Sequence, residues 1–210
     1  MNQPSLTEAL EPDIVEKAGV VGVREDTRRL AAVAAQARPG RALDMGTGTG
    51  YVGIYLALRG WEVDATDISP RALALARENA RRNHVTMRVF YSDRFAAVEG
   101  RYDVIAFNPP MRPTETELTR FITSLLRRSP TISKLLMRLS HHRLAQQRLA
   151  FLLEFAREAL GHLREGGRLL LIIGKEEADA LQKGLGEWKL VAYEPIETIP
   201  GIGVAVFQAV

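Results

Sequence analysis

Residues 42–54 read ALDMGTGTGYVGI, and this stretch decides the fold class of the chain. It begins as a short apolar strand, continues through a glycine-rich turn, and ends with the apolar spacing of a helix. Glycines let the backbone pass close under a ligand, and the following helix terminus offers unpaired N–H groups. A strand, a glycine-rich turn and a helix in this order predict an α/β fold that binds its ligand at the turn.

Strands and helices alternate outward from this stretch. The pattern predicts strands at 42–45, 61–67, 87–91, 103–107, 168–174, 188–194 and 202–209, with helices at about 26–37, 51–59, 70–83 and 176–184. Asp26 is the predicted cap of the first helix, and Ser69-Pro70 provides a cap and a first-turn proline for the third. The last two strands lack an intervening helix, so we expect an antiparallel pair beside an otherwise parallel sheet.

Composition limits the class of protein. The chain has 210 residues, of which 46% are hydrophobic and 25% charged, and it contains no cysteine. We therefore expect a single globular domain over 1–210, without disulfides or a metal site, in a reducing cytoplasm. No apolar run reaches the ~18 residues of a membrane span, and residues 1–12 do not resemble a signal peptide.

Positive charge is concentrated in one segment. The net charge of the chain is +3, but residues 112–150 contain eight Lys or Arg against Glu115 and Glu117, a local charge of +6. Apolar spacing predicts two helices in this basic insert, at 114–126 and 132–139. A longer helix is predicted from 144 to about 163, with Gly166-Gly167 as the signal that ends it. Residues 1–40 form a predicted N-terminal helical segment. The insert is suited to nucleic acid or an acidic protein, and a solvated helical surface is the alternative.

The glycine-rich turn alone does not identify the cofactor. Gly48-x-Gly50-x-x-Gly53 also satisfies the dinucleotide fingerprint, so an NAD(P)-dependent oxidoreductase or a non-catalytic nucleotide-binding protein are alternatives. Asp44 favours S-adenosylmethionine, because a carboxylate there attracts a cationic α-amino group and repels a pyrophosphate. Asp67 can accept hydrogen bonds from both ribose hydroxyls of either cofactor. Asp93 follows the third strand, where a carboxylate can accept a hydrogen bond from an adenine amino group.

Asn108-Pro109-Pro110-Met111 follows the fourth strand at the same edge of the sheet. The prolines stiffen the loop, and the Asn108 side-chain oxygen and the Pro109 carbonyl can both accept from one NH₂ group. The lone pair of an amide or aryl amine is delocalised, and two fixed acceptors would localise it and direct it at a methyl donor. The motif therefore predicts methyl transfer to nitrogen.

Five stretches resemble the HemK-like, Asn-Pro-Pro group of class I methyltransferases, and within it the short forms that methylate a glutamine of release factors. They are REDT (24–27), ALDMGTGTGYVGI (42–54), VDATDISPRALALARENA (63–80), SDRF (92–95) and YDVIAFNPPM (102–111). Close kin of this group are N6-adenine and guanine-N2 RNA methyltransferases. The resemblance implies a Rossmann-like, doubly wound, seven-stranded sheet in the order 3-2-1-4-5-7-6, with strand 7 antiparallel and a helical insert between strands 4 and 5.

The same resemblance implies the site residues. Asn108 would hydrogen-bond to the target nitrogen, and Pro109, Pro110 and Met111 would complete the catalytic loop. The residues expected to bind S-adenosylmethionine, including the neighbours of the motif residues, are Thr27, Asp44, Gly46, Thr47, Gly48, Gly50, Asp67, Ile68, Asp93, Arg94 and Asn108.

Two departures from the group leave the substrate open. Met111 stands where the group has an aromatic ring for stacking on a planar target, and the basic insert replaces the glycine-rich pattern expected of release-factor enzymes. We expect a macromolecular substrate, either RNA or a translation-related protein, because a small amine would need no basic rim. A small-molecule methyltransferase is the alternative. An activator subunit or a homo-oligomer is compatible with the sequence.

Overall fold

The computed structural model describes residues 10–110 and 130–210, without the side chains of residues 130–143. The helices are α1 (Glu25–Ala34), α2 (Tyr51–Ala57), α3 (Pro70–Arg82), α4 (Pro130–Gly161) and α5 (Lys175–Gly184). The strands are β1 (Arg41–Met45), β2 (Glu62–Asp67), β3 (Arg88–Tyr91), β4 (Tyr102–Phe107), β5 (Leu163–Gly174), β6 (Trp188–Pro195) and β7 (Ile202–Ala209).

The strands form one sheet in the order β3-β2-β1-β4-β5-β7-β6, which confirms the predicted topology. β1 pairs in parallel with β2 and β4, whereas β7 is antiparallel to both β5 and β6. Parallel strands expose their carboxyl ends at one edge, and the β1–α2, β2–α3 and β4–α4 connections all leave from there. The topology therefore gathers the predicted site residues at a single edge.

Two apolar layers cover the faces of the sheet. One layer packs α1 and α2 around residues such as Leu30, Leu56 and Trp61, and the other packs α4 and α5 around Phe155 and Leu181. Apolar residues alternate between the two layers along β1 and β4, as expected for strands buried on both faces. Within the described residues, no helix combines the length and apolar character needed to cross a bilayer.

Four local predictions were wrong in detail. Asp26 does not cap α1, because the N-cap is Arg24 and Asp26 lies inside the first turn. The two helices predicted over 132–139 and 144–163 are one continuous helix, α4. Gly166 and Gly167 do not end that helix but lie within β5, where Gly166 has a φ of 71°. The described part of the N-terminal segment contains α1 but no α-helix over residues 10–24, while the helix predicted over 114–126 lies outside the described residues.

Ser69 caps α3 as predicted. Its side chain accepts a hydrogen bond from the backbone N–H of Ala72, and Pro70 occupies the first turn, where no N–H is required. This cap fixes the exit of the chain from β2 and so fixes the position of Asp67.

A buried carboxylate joins four strands below the site. Asp64 in β2 is 3% exposed, and it accepts hydrogen bonds from Arg41 in β1, Arg88 in β3 and Tyr102 in β4, at 2.8, 2.9 and 2.6 Å. Burial alone would raise the pKa of Asp64, but hydrogen bonds from Arg88 and Tyr102 and the two guanidinium charges outweigh it and lower the pKa. Asp64 is thus held as a carboxylate.

We expect Asp64→Ala to lower the free energy of unfolding by about 3 kcal/mol, because it removes the acceptor that the buried Tyr102 hydroxyl shares with the guanidinium groups of Arg41 and Arg88. Since the pKa of Asp64 is depressed, its contribution is present at neutral pH and lost as the pH falls through the folded-state pKa. Urea denaturation measures the loss. Glu62→Ala is the matched control, because that carboxylate is 75% exposed and should change stability by less than about 0.5 kcal/mol. Equal losses in the two variants would contradict the buried network.

Candidate active site

The carboxyl ends of β1, β2 and β4 bring the principal predicted residues together. Asp44 lies in register with Ala65 of β2 and Ala106 of β4, and Asp67 and Asn108 stand at or just after the ends of those two strands. Met111 lies outside the described residues. The remaining predicted residues lie in α1, in the glycine-rich turn and in the loops after β2, β3 and β4.

Asp44 is buried at the base of this edge. It is 3% exposed, and its Oδ2 accepts hydrogen bonds from Thr47 Oγ1 at 2.6 Å and from the Gly53 backbone N–H at 2.9 Å. Burial raises the pKa of Asp44 from 3.8 to about 6, although these two hydrogen bonds act in the opposite direction. Because Oδ1 has no partner among the described residues, the carboxylate has one free oxygen for a cationic group.

Asp67 organises the glycine-rich turn. Its Oδ2 accepts from the backbone N–H of Gly48 at 3.0 Å, and its Oδ1 accepts from that of Ser69 at 2.8 Å. Each carboxylate oxygen has a second lone pair, so Asp67 can still accept from vicinal hydroxyls. The neighbouring Ile68 is 63% exposed, which is unusual for so large an apolar side chain.

Gly50 packs the turn against α3. Its φ is 86°, and a Cβ at this position would lie 3.1 Å from Ala76 Cα. Any side chain here would therefore meet backbone as well as adopt a strained conformation. Gly46 also has a positive φ, of 65°, and lies against the ring of Phe107.

We expect Gly50→Ala to destabilise the protein by about 2–4 kcal/mol, combining left-handed strain with the clash against α3. Gly60→Ala is a matched control, because Gly60 has a φ of 84° but no atom lies within 4 Å of the place that a Cβ would take there. The control should cost only about 1 kcal/mol. Thermal unfolding of both variants measures the difference. Equal losses would mean that close packing at Gly50 contributes nothing.

The two predicted residues after β3, Asp93 and Arg94, differ in whether their side chains are free to meet a ligand. Asp93 is exposed beside the buried Ser92, as expected for a residue that is free to meet a ligand. The guanidinium of Arg94, by contrast, pairs with Glu154 and Glu158 of α4 at 3.2 and 3.1 Å. Any contact between Arg94 and a cofactor would therefore come from its backbone.

Residues 11–23, the part of the described chain that precedes α1, form a segment that runs along α3 and reaches the glycine-rich turn. Asn79 of α3 is fully buried, and its Nδ2 donates to the carbonyls of Val15 and Thr49 at 3.0 and 2.8 Å. Its Oδ1 accepts from the N–H of Val15. One side chain thus ties this segment to the turn. The Val21 carbonyl lies 3.9 Å from the Cβ position of Gly48, so the segment borders the site.

Asn108 is held by α1. Its Nδ2 donates to Asp26 Oδ2 at 3.1 Å, and no described residue donates to its Oδ1. The predicted Thr27 lies beside this contact, with its backbone N–H 2.7 Å from Asp26 Oδ1. The amide of Asn108 therefore keeps its oxygen available as an acceptor.

Arg148 of α4 holds the other end of the loop. It donates to the Pro110 carbonyl and, at 2.5 Å, to Glu177 of α5, whose second oxygen accepts from the Gly174 N–H. The Pro110 carbonyl thus already accepts one hydrogen bond, whereas no described residue donates to the carbonyl of the buried Pro109. The Pro109 carbonyl is therefore available to act with Asn108 on a substrate.

Sequence reasoning missed Asp26, Asn79 and Arg148 as parts of the site. Asp26 and Asn79 had a signal in the sequence, because they belong to the REDT (24–27) and VDATDISPRALALARENA (63–80) stretches that carried the resemblance. Asn79 read as an ordinary helix residue, and Arg148 as one charge of the basic insert. The described residues contain no group of three or more His, Asp or Glu side chains placed to hold a metal ion.

Comparison with known protein families identifies the family of the chain. The profile of the methyltransferase small domain family matches residues 16–134, which include the glycine-rich turn and the Asn-Pro-Pro loop. The chain belongs to this family. The family resemblance predicted from the sequence is therefore confirmed.

Curated relatives fall into two groups. The release factor glutamine methyltransferase of Lactococcus lactis is 32% identical over 144 residues, 68% of this chain and 50% of that protein. The ribosomal protein uL3 glutamine methyltransferase of Xanthomonas campestris is 36% identical over 141 residues, 65% of this chain and 42% of that protein. The ribosomal RNA small subunit methyltransferase C of Alcanivorax borkumensis is 33% identical over 97 residues, 46% of this chain and 30% of that protein. The chain thus spans half or less of the length of these relatives.

Solved structures share the fold. A ribosomal protein L11 methylase from Lactobacillus delbrueckii superposes with a TM-score of 0.63 at 20% identity, over 90% of this chain and 81% of that one. A 16S rRNA N2 methyltransferase of T. thermophilus, in complex with AdoMet and guanosine, gives 0.59 at 18% identity, over 92% and 44%. The Rossmann-like methyltransferase fold extends over nearly the whole chain.

Proposed function

We propose that this protein is an S-adenosylmethionine-dependent methyltransferase that transfers methyl to an NH₂ nitrogen of a translation-related macromolecule in the cytoplasm. The observation that carries the proposal is the Asn108 amide, held by Asp26 with its oxygen free, at the edge that also carries Asp44 and Asp67. Family membership supports the cofactor, because the family and its relatives are methyltransferases.

The described residues fit S-adenosylmethionine. The free oxygen of Asp44 suits the α-ammonium group, and the spare lone pairs of Asp67 suit the ribose hydroxyls. The exposed Ile68 provides an apolar surface for the adenine face, and Asp93 an acceptor for its amino group. Gly46, Thr47, Gly48 and Gly50 shape the backbone under the cofactor, and Thr27 closes the site beside Asp26.

The buried carboxylate also argues against a dinucleotide. A pyrophosphate at the turn would lie next to Asp44, and the two negative charges would repel each other in a site from which water is largely excluded. An NAD(P)-dependent oxidoreductase is thus disfavoured, although the glycine spacing permits it.

Methyl transfer here depends on positioning and electrostatics. When bound, S-adenosylmethionine would supply an electrophilic methyl group, and its sulfur would keep the electron pair of the carbon–sulfur bond that breaks. Asn108 Oδ1 and the Pro109 carbonyl would each accept a hydrogen bond from one N–H of the target NH₂ group. These two hydrogen bonds would leave the nitrogen lone pair directed at the methyl carbon. The nitrogen gains the methyl group and releases one proton to solvent. No described carboxylate is needed as a general base.

We favour a glutamine side-chain amide as the acceptor. The glutamine methyltransferases of Lactococcus lactis and Xanthomonas campestris align with about two-thirds of the chain, whereas the ribosomal RNA enzyme of Alcanivorax borkumensis aligns with 46%.

Incubation with tritiated S-adenosylmethionine tests the proposal. A cell extract from a strain that lacks the protein is separated into protein, RNA and small molecules after reaction. We expect label in protein that is released as N5-methylglutamine on protease digestion. Label in RNA would overturn the glutamine assignment, and label confined to small molecules would overturn the macromolecular substrate.

A further inference from the structure

We propose that Asp26 is a positioning residue for methyl transfer, which selects the orientation of the Asn108 amide so that Oδ1 faces the substrate. The inference rests on the proposed function and adds a residue to it. The supporting observation is the contact between Asp26 Oδ2 and Asn108 Nδ2, across 82 positions of sequence.

The carboxylate of Asp26 is itself fixed in place. Its Oδ1 accepts from the backbone N–H of Thr27 at 2.7 Å and from Thr27 Oγ1 at 3.3 Å, leaving Oδ2 to face Asn108. Asp26 also lies in the first turn of α1, where the helix dipole favours negative charge. The partly buried α1 terminus thus presents one oxygen at a constant position beside the Asn-Pro-Pro loop.

The chemistry of the two groups makes the orientation selective. The NH₂ and oxygen ends of an asparagine amide have nearly the same shape, so packing alone cannot distinguish them. A carboxylate accepts hydrogen bonds and donates none, so Asp26 binds the NH₂ end only. If the amide were reversed, its NH₂ would meet the NH₂ of the substrate, and neither group would accept.

The same contact strengthens the acceptor. Donation from Nδ2 to a carboxylate polarises the amide and increases the negative charge on Oδ1. Oδ1 is the atom that would localise the nitrogen lone pair of the substrate. Asp26 therefore acts on the transfer step through Asn108, without touching substrate or cofactor.

Kinetics of Asp26→Asn and Asp26→Ala test this role, with tritiated S-adenosylmethionine and the protein fraction of the extract as probes. The amide introduced by Asp26→Asn can present either of its ends to Asn108, and the methyl group left by Asp26→Ala offers no acceptor. We therefore expect the maximal rate to fall about tenfold in both variants. The KM for S-adenosylmethionine should stay within about twofold. Glu25→Gln is the matched control, because it removes an exposed carboxylate from the same helix turn and should leave the rate unchanged.

A double variant separates positioning from general damage. In the Asn108→Ala background no amide remains to be oriented, so Asp26→Ala should lower the rate no further. Additive losses, an unchanged rate in the single variants, or a rise in the cofactor KM to match the fall in rate would each overturn the role of Asp26.

A spectroscopic measurement provides a readout that is independent of turnover. The side-chain NH₂ signals of Asn108 are identified in a ¹H–¹⁵N spectrum by their absence in Asn108→Ala. They should shift in Asp26→Ala and stay in place in Glu25→Gln, and signals that do not move in either variant would overturn the contact. If Asn108→Ala itself keeps full activity, the proposed function fails. If it loses activity while the Asp26 variants keep theirs, only the positioning role fails.

Discussion

Asn108→Ala should reduce the rate of methyl transfer by about 100-fold or more, while the affinity for S-adenosylhomocysteine stays nearly unchanged. The alanine removes the acceptor at the carboxyl end of β4 but leaves Asp44, Asp67 and the glycine-rich turn intact. Initial rates with tritiated cofactor and calorimetric titration of the product measure the two quantities separately.

Two further variants sharpen this expectation. Asn108→Asp keeps an oxygen acceptor of the same size but replaces the Nδ2 donor with an oxygen next to Asp26 Oδ2, so it should be as inactive as the alanine variant. Gln36→Ala removes an exposed amide from the other end of the molecule and should keep the full rate. If Asn108→Ala were as active as Gln36→Ala, the loop would be structural and nitrogen methylation would lose its main support.

Asp44→Asn should weaken S-adenosylhomocysteine binding at pH 7.5 by about 100-fold, because a charge-assisted hydrogen bond to the α-ammonium group is lost. The wild-type protein should also show a characteristic pH dependence. Burial raises the pKa of Asp44 to about 6, so below that pH the carboxyl group must release a proton before it can pair with the cation. Affinity should therefore be constant above pH 7 and decrease below pH 6, approaching tenfold per unit.

Calorimetric titration between pH 5 and 8 measures this dependence. Asp44→Asn should flatten it, since the titrating group is gone. Glu187→Gln, which changes an exposed carboxylate at the opposite edge of the sheet, should retain both the affinity and its pH dependence. A pH dependence that survives in Asp44→Asn would contradict the assignment of Asp44 to the cation.

The site residues whose place in the fold could be predicted share one property, which is a position that local sequence determines. Asp44, Asp67 and Asn108 each stand at or just beyond the end of a strand, and the period of apolar residues locates those ends. Once the strands are parallel, their ends meet at one edge whatever the rest of the chain does. Ser69 was predicted for the same reason, because a cap and its proline are adjacent in sequence.

The missed residues depend on contacts between distant parts of the chain. The contact of Asp26 with Asn108 spans 82 positions, and Asp26 alone reads as a helix cap. Asp64 falls inside an alternating strand, where nothing indicates that Arg41, Arg88 and Tyr102 converge on it. The continuity of α4 was missed because the polar residues 140–143 interrupt the apolar spacing, although they include neither glycine nor proline.

Calorimetric titration of the whole chain with S-adenosylhomocysteine and, separately, with NAD tests the central claim most directly. The claim is that the edge formed by Asp44, Asp67 and Asn108 is a methyltransferase site. We expect S-adenosylhomocysteine to bind with a dissociation constant in the micromolar range, which corresponds to a binding free energy on the order of −8 kcal/mol. NAD should give no measurable heat. Tighter binding of NAD than of S-adenosylhomocysteine would contradict the account.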